Sequence, residues 1–216
     1  MDYFKNKFLK INLCLFSALN VVRLGELDYS NTADDAQTQE FDIHLNNIMP
    51  HPNYRNQKVH FDMALVELNR PAILNKYVAP ACLALTNGNE FEQFTAIGLG
   101  STSNAGKPSS HLLKVQLQRF SNDKCSEVTK NSSEKYNNQT QICAGSNVDN
   151  ADTCQGDSGG PLFTQHPTYG CMHLIVGVTS YSTNGCGAMG VPAIYSRIHL
   201  FIDWIEQVVW NATRFA

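Results

Sequence analysis

One glycine-rich run, residues 152–161, constrains the fold of this chain more than any other segment. It reads Asp-Thr-Cys-Gln-Gly-Asp-Ser-Gly-Gly-Pro, so Ser158 lies among glycines, with Asp157 directly before it and Cys154 anchoring the loop. Glycine adopts positive φ and lets the backbone approach a ligand closely. The run can therefore form a tight turn that exposes the Ser158 hydroxyl beside several backbone N–H groups. A nucleophile for acyl transfer needs that arrangement.

Composition and charge narrow the class of protein. The chain has 216 residues, of which 43% are hydrophobic and 16% charged, which is typical of a globular protein with one large or two-lobed domain. The formal net charge of −3 indicates neither nucleic acid nor an anionic membrane as a partner. No stretch has the roughly 20 apolar residues that a membrane-spanning helix needs.

The cysteines favour disulfides over a metal site. Their spacing includes neither a Cys-x-x-Cys pair nor a His/Cys pattern typical of zinc. Because their number is odd, at least one thiol is unpaired or bonded outside this chain. The seven are Cys14, Cys82, Cys125, Cys143, Cys154, Cys171 and Cys186.

Two features bear on localisation. Sequons for N-glycosylation at Asn131, Asn138 and Asn211 are compatible with an extracellular, secreted protein. Residues 1–20 form a divergent or signal-like N-terminus, in which Lys10 interrupts the apolar part and no small-residue cleavage site follows.

The pattern along the rest of the chain is that of an all-β protein, with short β-rich runs between polar or Gly/Pro-containing turns. One helix is predicted near the C-terminus, where apolar residues from Leu200 to Val208 recur at three-to-four spacing. The predicted strands are Val21–Glu26, Ile43–Met49, Met63–Leu68, Phe94–Leu99, Leu112–Leu117, Gln141–Ala144, Pro161–Phe163, Leu174–Ser180 and Ala193–Ile198.

A nucleophile elbow of the α/β-hydrolase type is the first alternative for Ser158, because residues 156–160 satisfy Gly-x-Ser-x-Gly. That fold needs the order Ser, then acid, then His. Here the last histidine, His199, precedes both acids that follow Ser158, and alternating helices are missing. We set this alternative aside.

The chain instead resembles the chymotrypsin/trypsin family of serine endopeptidases, from about Val21 to Ile205. The resemblance implies that Ser158 is the nucleophile and that the N–H groups of Gly156 and Ser158 form the oxyanion hole. Asp62, in Phe-Asp-Met-Ala-Leu, corresponds to the aspartate that orients the base, and Ser180 to the serine that supports this aspartate.

The same resemblance implies a double six-stranded β-barrel. Residues 21–216 would form the protease domain, with a partial first barrel over 21–85, a complete second barrel over 86–199 and a C-terminal helix over 200–216. We expect about three of the six strands of the first barrel.

Specificity follows from three further positions that the resemblance assigns to the primary pocket. Asp152 corresponds to a carboxylate at the floor, which pairs with the cation of Arg or Lys. Ser182 and Ala193 correspond to the walls, where their small side chains narrow the slot. We expect cleavage after Arg more than after Lys.

Disulfides and partners are also implied by the resemblance. Two family disulfides correspond to Cys154–Cys186 and Cys125–Cys143. Local sequence is similar to arthropod clip-domain proteases, in which a cysteine placed like Cys82 usually bridges to the linker of a preceding regulatory domain. Expected partners are protein substrates, serpin inhibitors and other proteases of a clotting or immune cascade.

We expect no cofactor and no metal. Only the ends of the segment between Glu26 and Glu40 resemble a calcium loop of the family.

Two departures from the family pattern predict that the chain as written lacks activity. Alignment on Cys14 and Val22 places Leu13 at the position of the catalytic histidine, and leucine cannot accept a proton. No Ile-Val-Gly-Gly sequence is present to supply the N-terminal ammonium that pairs with the residue matching Asp157. That carboxylate would then be buried without a partner, which is costly, or turned outward.

Three hypotheses remain open. The chain is a trypsin-like endopeptidase whose N-terminal portion is missing from the sequence, a non-catalytic protease homologue that binds partners in a cascade, or a product that does not fold stably. The sequence leaves open the partners of Cys14, Cys82 and Cys171, although a Cys82–Cys171 bond is conceivable.

Overall fold

The computed structural model describes residues 8–11, 19–32, 37–55, 59–169, 172–183 and 185–210, with backbone only for residues 8–11. Among the described residues, the N-terminal part contains five strands. They form a three-stranded antiparallel sheet of order β1-β5-β4 and a separate antiparallel pair, β2-β3. Their bounds are β1 Phe8–Ile11, β2 Val21–Leu24, β3 Gln39–Asp42, β4 Ile48–Pro50 and β5 Ala64–Glu67.

The C-terminal part is a closed barrel. Its strands are β7 Gln93–Gly98, β8 Leu113–Arg119, β9 Gln141–Gly145, β10 Pro161–Gln165, β11 His173–Tyr181 and β12 Ala193–Arg197. They run in the order β10-β7-β8-β9-β12-β11, and pairing of β10 with β11 closes the ring. A two-residue strand, β6 Cys82–Leu83, adds in parallel to β11. Alternate inward residues such as Phe94, Ala96 and Leu162 fill the interior.

Two helices flank the barrel. Helix α1, Asn122–Thr129, is capped by the preceding Ser121, whose hydroxyl accepts a hydrogen bond from the Lys124 amide at 3.3 Å. Helix α2, Ile202–Trp210, follows a short 3-10 turn over Ile198–Phe201. None of the helices in the described ranges has the length and apolar composition needed to cross a bilayer.

The apolar face of α2 joins the two halves of the protein. Its buried residues Ile202, Ile205 and Val209 share a cluster with Met63 and Leu65 at β5. The described residues form three other apolar clusters. One lies inside the barrel, one around Phe41 in the N-terminal part, and one beside the Cys125–Cys143 disulfide. The shared cluster fixes the segment before β5, which carries Asp62, against the barrel.

The predicted fold class is confirmed: the protein is all-β, with a closed second barrel, partial N-terminal sheets and a C-terminal helix. More of the N-terminal part is present than the three strands that we expected. Strand β1 lies inside the predicted signal-like segment and pairs with β5. The predicted strand at 43–49 is a strand only from Ile48, because a 3-10 turn occupies Leu45–Asn47.

The predicted C-terminal helix is present as α2, but helix α1 was not predicted. Helix α1 has eight residues and buries only Cys125 and Thr129, so its sequence has little apolar periodicity. Strands β3 and β6 were also not predicted. Only Phe41 of β3 is fully buried, and β6 has two residues.

Candidate active site

The Ser158 turn has the backbone conformation that its glycines allow. Gly156 has φ +98° and Gly159 has φ +85°, both in the left-handed region. The Asp157 amide donates to the Cys154 carbonyl at 3.0 Å, and the Gly160 amide donates to the Asp157 carbonyl at 2.8 Å. The Gly159 amide donates to Thr179 of β11 at 3.0 Å. The turn is therefore fastened to the barrel, and Ser158 at its tip is exposed.

The carboxylate of Asp157 lies inside a cradle of glycines. It accepts hydrogen bonds from the amides of Gly100 and Cys154, each at 2.8 Å. A Cβ atom at Gly98 would lie 1.9 Å from its Oδ1, and one at Gly100 would lie 2.6 Å from its Cγ. Two amide donors thus stabilise this carboxylate within the described part of the chain, which is an arrangement that the sequence did not predict.

Asp62 is anchored to the barrel through two serines. It is 2% exposed, and its Oδ2 accepts a hydrogen bond from the Ser180 hydroxyl on β11 at 2.6 Å. The Ser196 hydroxyl on β12 donates to its carbonyl at 3.2 Å. Phe61, directly before it, has φ +58°, which is uncommon for a residue other than glycine. This conformation turns the chain so that the Asp62 carboxylate meets Ser180.

A cavity of about 190 Å³ opens beside Ser158. Ser180, Ser182 and Ala193 share its lining with Ser158 and Tyr181, so the structure brings four of the predicted site residues together. The Cys154–Cys186 disulfide forms part of the same wall. The small side chains of Ser180, Ser182 and Ala193 leave the space of this cavity unfilled.

Asp152 lies apart from that group. It lines a neighbouring cavity of about 230 Å³ together with Asp157, and it is not among the lining residues described for the Ser158 cavity. Thr153, Cys154 and Cys186 line both cavities, so the two cavities adjoin along these residues. Burial raises the pKa of Asp152 to about 6, although hydrogen bonds from the Gly187 and Thr153 amides partly oppose this rise.

The seven histidines all lie in the described residues, and none of them lines the Ser158 cavity. His60 is two residues from Asp62, but its Nδ1 lies 3.4 Å from the Thr140 hydroxyl and its Nε2 lies 3.8 Å from Glu134. His51 stacks on Phe61 with ring centroids 5.0 Å apart. Leu13, at the position where the resemblance places the base, lies outside the described residues.

The two disulfides brace the barrel. Cys125–Cys143 joins α1 to β9, and Cys154–Cys186 joins the Ser158 loop to the segment before β12. These are the pairs that the resemblance implies. Cys82 is in no disulfide with another described residue, and Cys14 and Cys171 lie outside the described ranges.

An arginine side chain pairs with the two glutamates at the ends of the segment that resembled a calcium loop. The Arg23 guanidinium lies 2.8 Å from Glu40 and 3.2 Å from Glu26. Among the described residues, no group of three or more His, Cys, Asp or Glu side chains is placed to hold a metal ion. Of the three asparagines in glycosylation sequons, Asn131 and Asn138 are exposed, and Asn211 lies outside the described residues.

Several site residues were missed from the sequence. Ser196 supports the Asp62 backbone from β12, and Gly98 and Gly100 surround the Asp157 carboxylate. The two glycines flank a single residue at the end of β7, and this spacing was the only available signal. Nothing in the sequence marks Ser196, because its contact spans 134 residues.

Comparison with known proteins identifies relatives of this arrangement. The model of the Trypsin family matches residues 14–205. CLIP domain-containing serine protease HP8 of Bombyx mori is 36% identical over 198 residues, covering 87% of this chain and 53% of that protein. Spaetzle-processing enzyme of Drosophila melanogaster is 38% identical over 209 residues, covering 88% and 51%. The chain spans about half the length of the curated relatives that it matches.

A solved structure has the same fold. Neuropsin, a serine protease expressed in the limbic system of mouse brain, superposes with a TM-score of 0.79 at 26% identity. The match covers 94% of this chain and 85% of the neuropsin chain.

Proposed function

Because the chain belongs to the trypsin family of serine proteases, we propose that Ser158 is the nucleophile of a peptide-recognising site for Arg and Lys side chains. The observation that carries the proposal is the hydrogen bond from Ser180 to Asp62. Ser180 also lines the Ser158 cavity, so this bond ties the buried carboxylate to the wall of the site.

With an imidazole base in place, as in Leu13→His, the Ser158 hydroxyl attacks a peptide carbonyl and passes its proton to that base. The amides of Gly156 and Ser158 stabilise the oxyanion that develops, and the Asp62 carboxylate orients an imidazole base. The glycine φ values and the hydrogen bonds of the turn support this assignment.

Asp152 supplies the negative charge for a substrate cation. In the structure Asp152 lines the adjoining cavity and not the Ser158 cavity, so arginine recognition requires the residues that line both cavities to move and admit the guanidinium. A bound guanidinium stabilises the ionised carboxylate and lowers its pKa from about 6.

Turnover is absent from this chain as it stands, since Leu13 cannot accept the Ser158 proton. None of the seven histidines lines the cavity to replace it. Without the base, only residual catalysis from binding and the oxyanion hole remains.

Reaction of Ser158 with a fluorophosphonate probe tests this proposal. The unaltered chain is expected to label no faster than Ser158→Ala, whereas Leu13→His labels at least about 100-fold faster because a general base is restored. Adding Asp62→Asn to Leu13→His lowers the rate again. Efficient labelling of the unaltered chain contradicts the loss of turnover, and a well-folded Leu13→His protein that does not label contradicts the assignment of the site.

A second candidate is a non-catalytic protease homologue that binds partners in a proteolytic cascade. The residue at Leu13 favours it, because peptide binding needs no base. This candidate predicts that the unaltered chain melts cooperatively and binds arginine peptides without cleaving them, as calorimetry and mass spectrometry can determine.

The biological setting that fits both candidates is an extracellular cascade of immunity or clotting. Two disulfides favour an oxidising compartment, and exposed sequons at Asn131 and Asn138 are compatible with N-glycosylation. Protein substrates, serpin inhibitors and other cascade proteases are the proposed partners. Covalent serpin capture by Leu13→His, but not by Ser158→Ala, tests the inhibitor class.

A further inference from the structure

A loop over residues 101–108 is folded on itself by two internal hydrogen bonds. The Ser101 hydroxyl donates to the Gly106 carbonyl at 3.0 Å, and the Gly106 amide donates to the Ser103 carbonyl at 2.9 Å. These bonds close the base of the loop around its tip, where the side chain of Asn104 is exposed. The loop therefore presents Asn104 from a braced backbone.

The Asn104 side chain touches both residues that flank the Cys154–Cys186 disulfide. Gln155 follows the first half-cystine, and its Nε2 donates to the Asn104 Oδ1 at 3.1 Å. Gly185 precedes the second half-cystine, and a Cβ atom at Gly185 would lie 2.8 Å from the Asn104 Nδ2. One side chain thus clasps the chain next to both ends of the disulfide.

The clasped disulfide lies where two cavities meet. Both half-cystines line the Ser158 cavity and also the cavity of Asp152. Residues 101–103 of the loop line the Asp152 cavity, whereas the two residues that Asn104 contacts line the Ser158 cavity. An arginine side chain that enters beside Ser158 reaches Asp152 only if this boundary moves. The loop holds the boundary from both sides.

We propose that the 101–108 loop is an inhibitory strap, which holds the disulfide through Asn104 and keeps the Asp152 cavity closed to a peptide at Ser158. Release of the bond between Asn104 and Gln155 lets the disulfide shift and admits the arginine side chain. Both partners of this bond are exposed, so a peptide can compete for them directly. The proposal rests on the proposed function, because that function assigns Asp152 as the carboxylate that binds arginine.

Fluorescence anisotropy with two labelled peptide amides, Gly-Gly-Arg and its citrulline analogue, tests the strap. Citrulline has nearly the shape of arginine without its charge, so the ratio of the two dissociation constants reports contact with Asp152. Asn104→Ala is expected to raise the preference for arginine about 5-fold, because the loss of one neutral hydrogen bond raises the population of the released state by roughly that factor.

Further variants assign the effect to the clasp. Gln155→Leu removes the same hydrogen bond from the other side and should raise the preference for arginine equally. The double variant Asn104→Ala/Gln155→Leu should add little to either single variant, since both remove one interaction. Asn147→Ala is the matched control, because it makes the same replacement at an exposed asparagine that lines neither cavity.

Hydrogen exchange tests the strap without any ligand. The amides of Cys154 and Gly187 donate to carboxylates that line the Asp152 cavity, at 2.8 Å and 3.2 Å. Both should exchange about 5-fold faster in Asn104→Ala than in the unaltered protein at the same pH, because release of the clasp raises the fraction of molecules in which these bonds are open. The Phe120 amide, which donates to a carbonyl of β9, should exchange equally in both proteins.

The outcomes separate the strap from the proposed function. Faster exchange in Asn104→Ala without a preference for arginine over citrulline supports the strap and contradicts recognition by Asp152. Unchanged exchange overturns the strap, and a preference for arginine in the unaltered protein then leaves the proposed function standing. Weaker arginine binding by Asn104→Ala also overturns the strap, since this side chain would then belong to the binding site.

Discussion

At the scale of single residues, the charge of Asp152 is the feature with the clearest measurable consequence. Burial raises the pKa of this carboxyl to about 6, whereas an unfolded chain has a value near 4. The native state therefore holds a proton between about pH 4 and 6 that the unfolded state releases. Stability contributed by this group is present below pH 4 and is lost as the pH rises to about 6.

We expect Asp152→Asn to be neutral at pH 4 and to stabilise the protein by roughly 2–3 kcal/mol at pH 7, since 1 pK unit corresponds to about 1.4 kcal/mol. Urea denaturation across this range measures the difference between the two proteins. Asp149→Asn is a suitable control, because hydrogen bonds lower the pKa of exposed Asp149 and the sign should be opposite. A difference independent of pH would contradict the assigned protonation of Asp152.

At the scale of elements, α1 depends on Ser121, the N-cap residue that directly precedes it. The Ser121 hydroxyl satisfies the Lys124 amide at the helix start, where no carbonyl of the helix is available. Ser121→Ala should lower the free energy of unfolding by about 1 kcal/mol, and Ser121→Asp should retain the stability because a carboxylate also caps and complements the helix dipole. Urea titration distinguishes them, and equal losses in both variants would contradict a capping role.

The elements also show which parts of the fold can be predicted from sequence. Strands such as β5, β8 and β11 were predicted because their apolar residues have the spacing of a half-buried or buried strand. Helix α1 was missed because the Cys125–Cys143 disulfide and packing beside Phe120 hold it, and a short helix with two buried residues has no periodic signal.

The same distinction applies to the candidate site. The Ser158 turn is encoded locally by glycines at positive φ, so the run from 152 to 161 predicts it. Which of the two cavities Asp152 lines depends on long-range contacts, such as the hydrogen bond that its carboxylate accepts from the Gly187 amide. Likewise, the contact of His60 with Glu134 depends on how the two halves of the protein meet, which no local pattern specifies.

At the scale of the whole molecule, the two halves meet at an aromatic cluster that contains a titratable ring. His51 follows β4 and stacks on Phe61 beside Asp62, and its ring also meets Phe201 and Trp204 at the C-terminal helix. Its Nδ1 accepts a hydrogen bond from the Asn53 amide at 3.2 Å, which requires the neutral imidazole.

Burial lowers the pKa of His51 below its ordinary value near 6.5. As the pH falls through 6.5, the unfolded chain takes up a proton that the native state excludes, so stability is lost on acidification. Burial lowers the pKa of His199 as well, so the unaltered protein carries both effects and only a comparison of variants isolates His51.

The melting temperature of the unaltered protein relative to His51→Asn should therefore fall between pH 7.5 and 5. Asparagine retains a neutral acceptor for the Asn53 amide but cannot titrate, so the melting temperature of His51→Asn should depend less steeply on pH. The variant should also melt at a lower temperature at pH 7.5, because it loses the ring packing. His44→Asn is the matched control, because it makes the same replacement at an exposed histidine outside the aromatic cluster. Parallel slopes for the unaltered protein and His51→Asn would show that acid acts elsewhere than at the junction between the two halves.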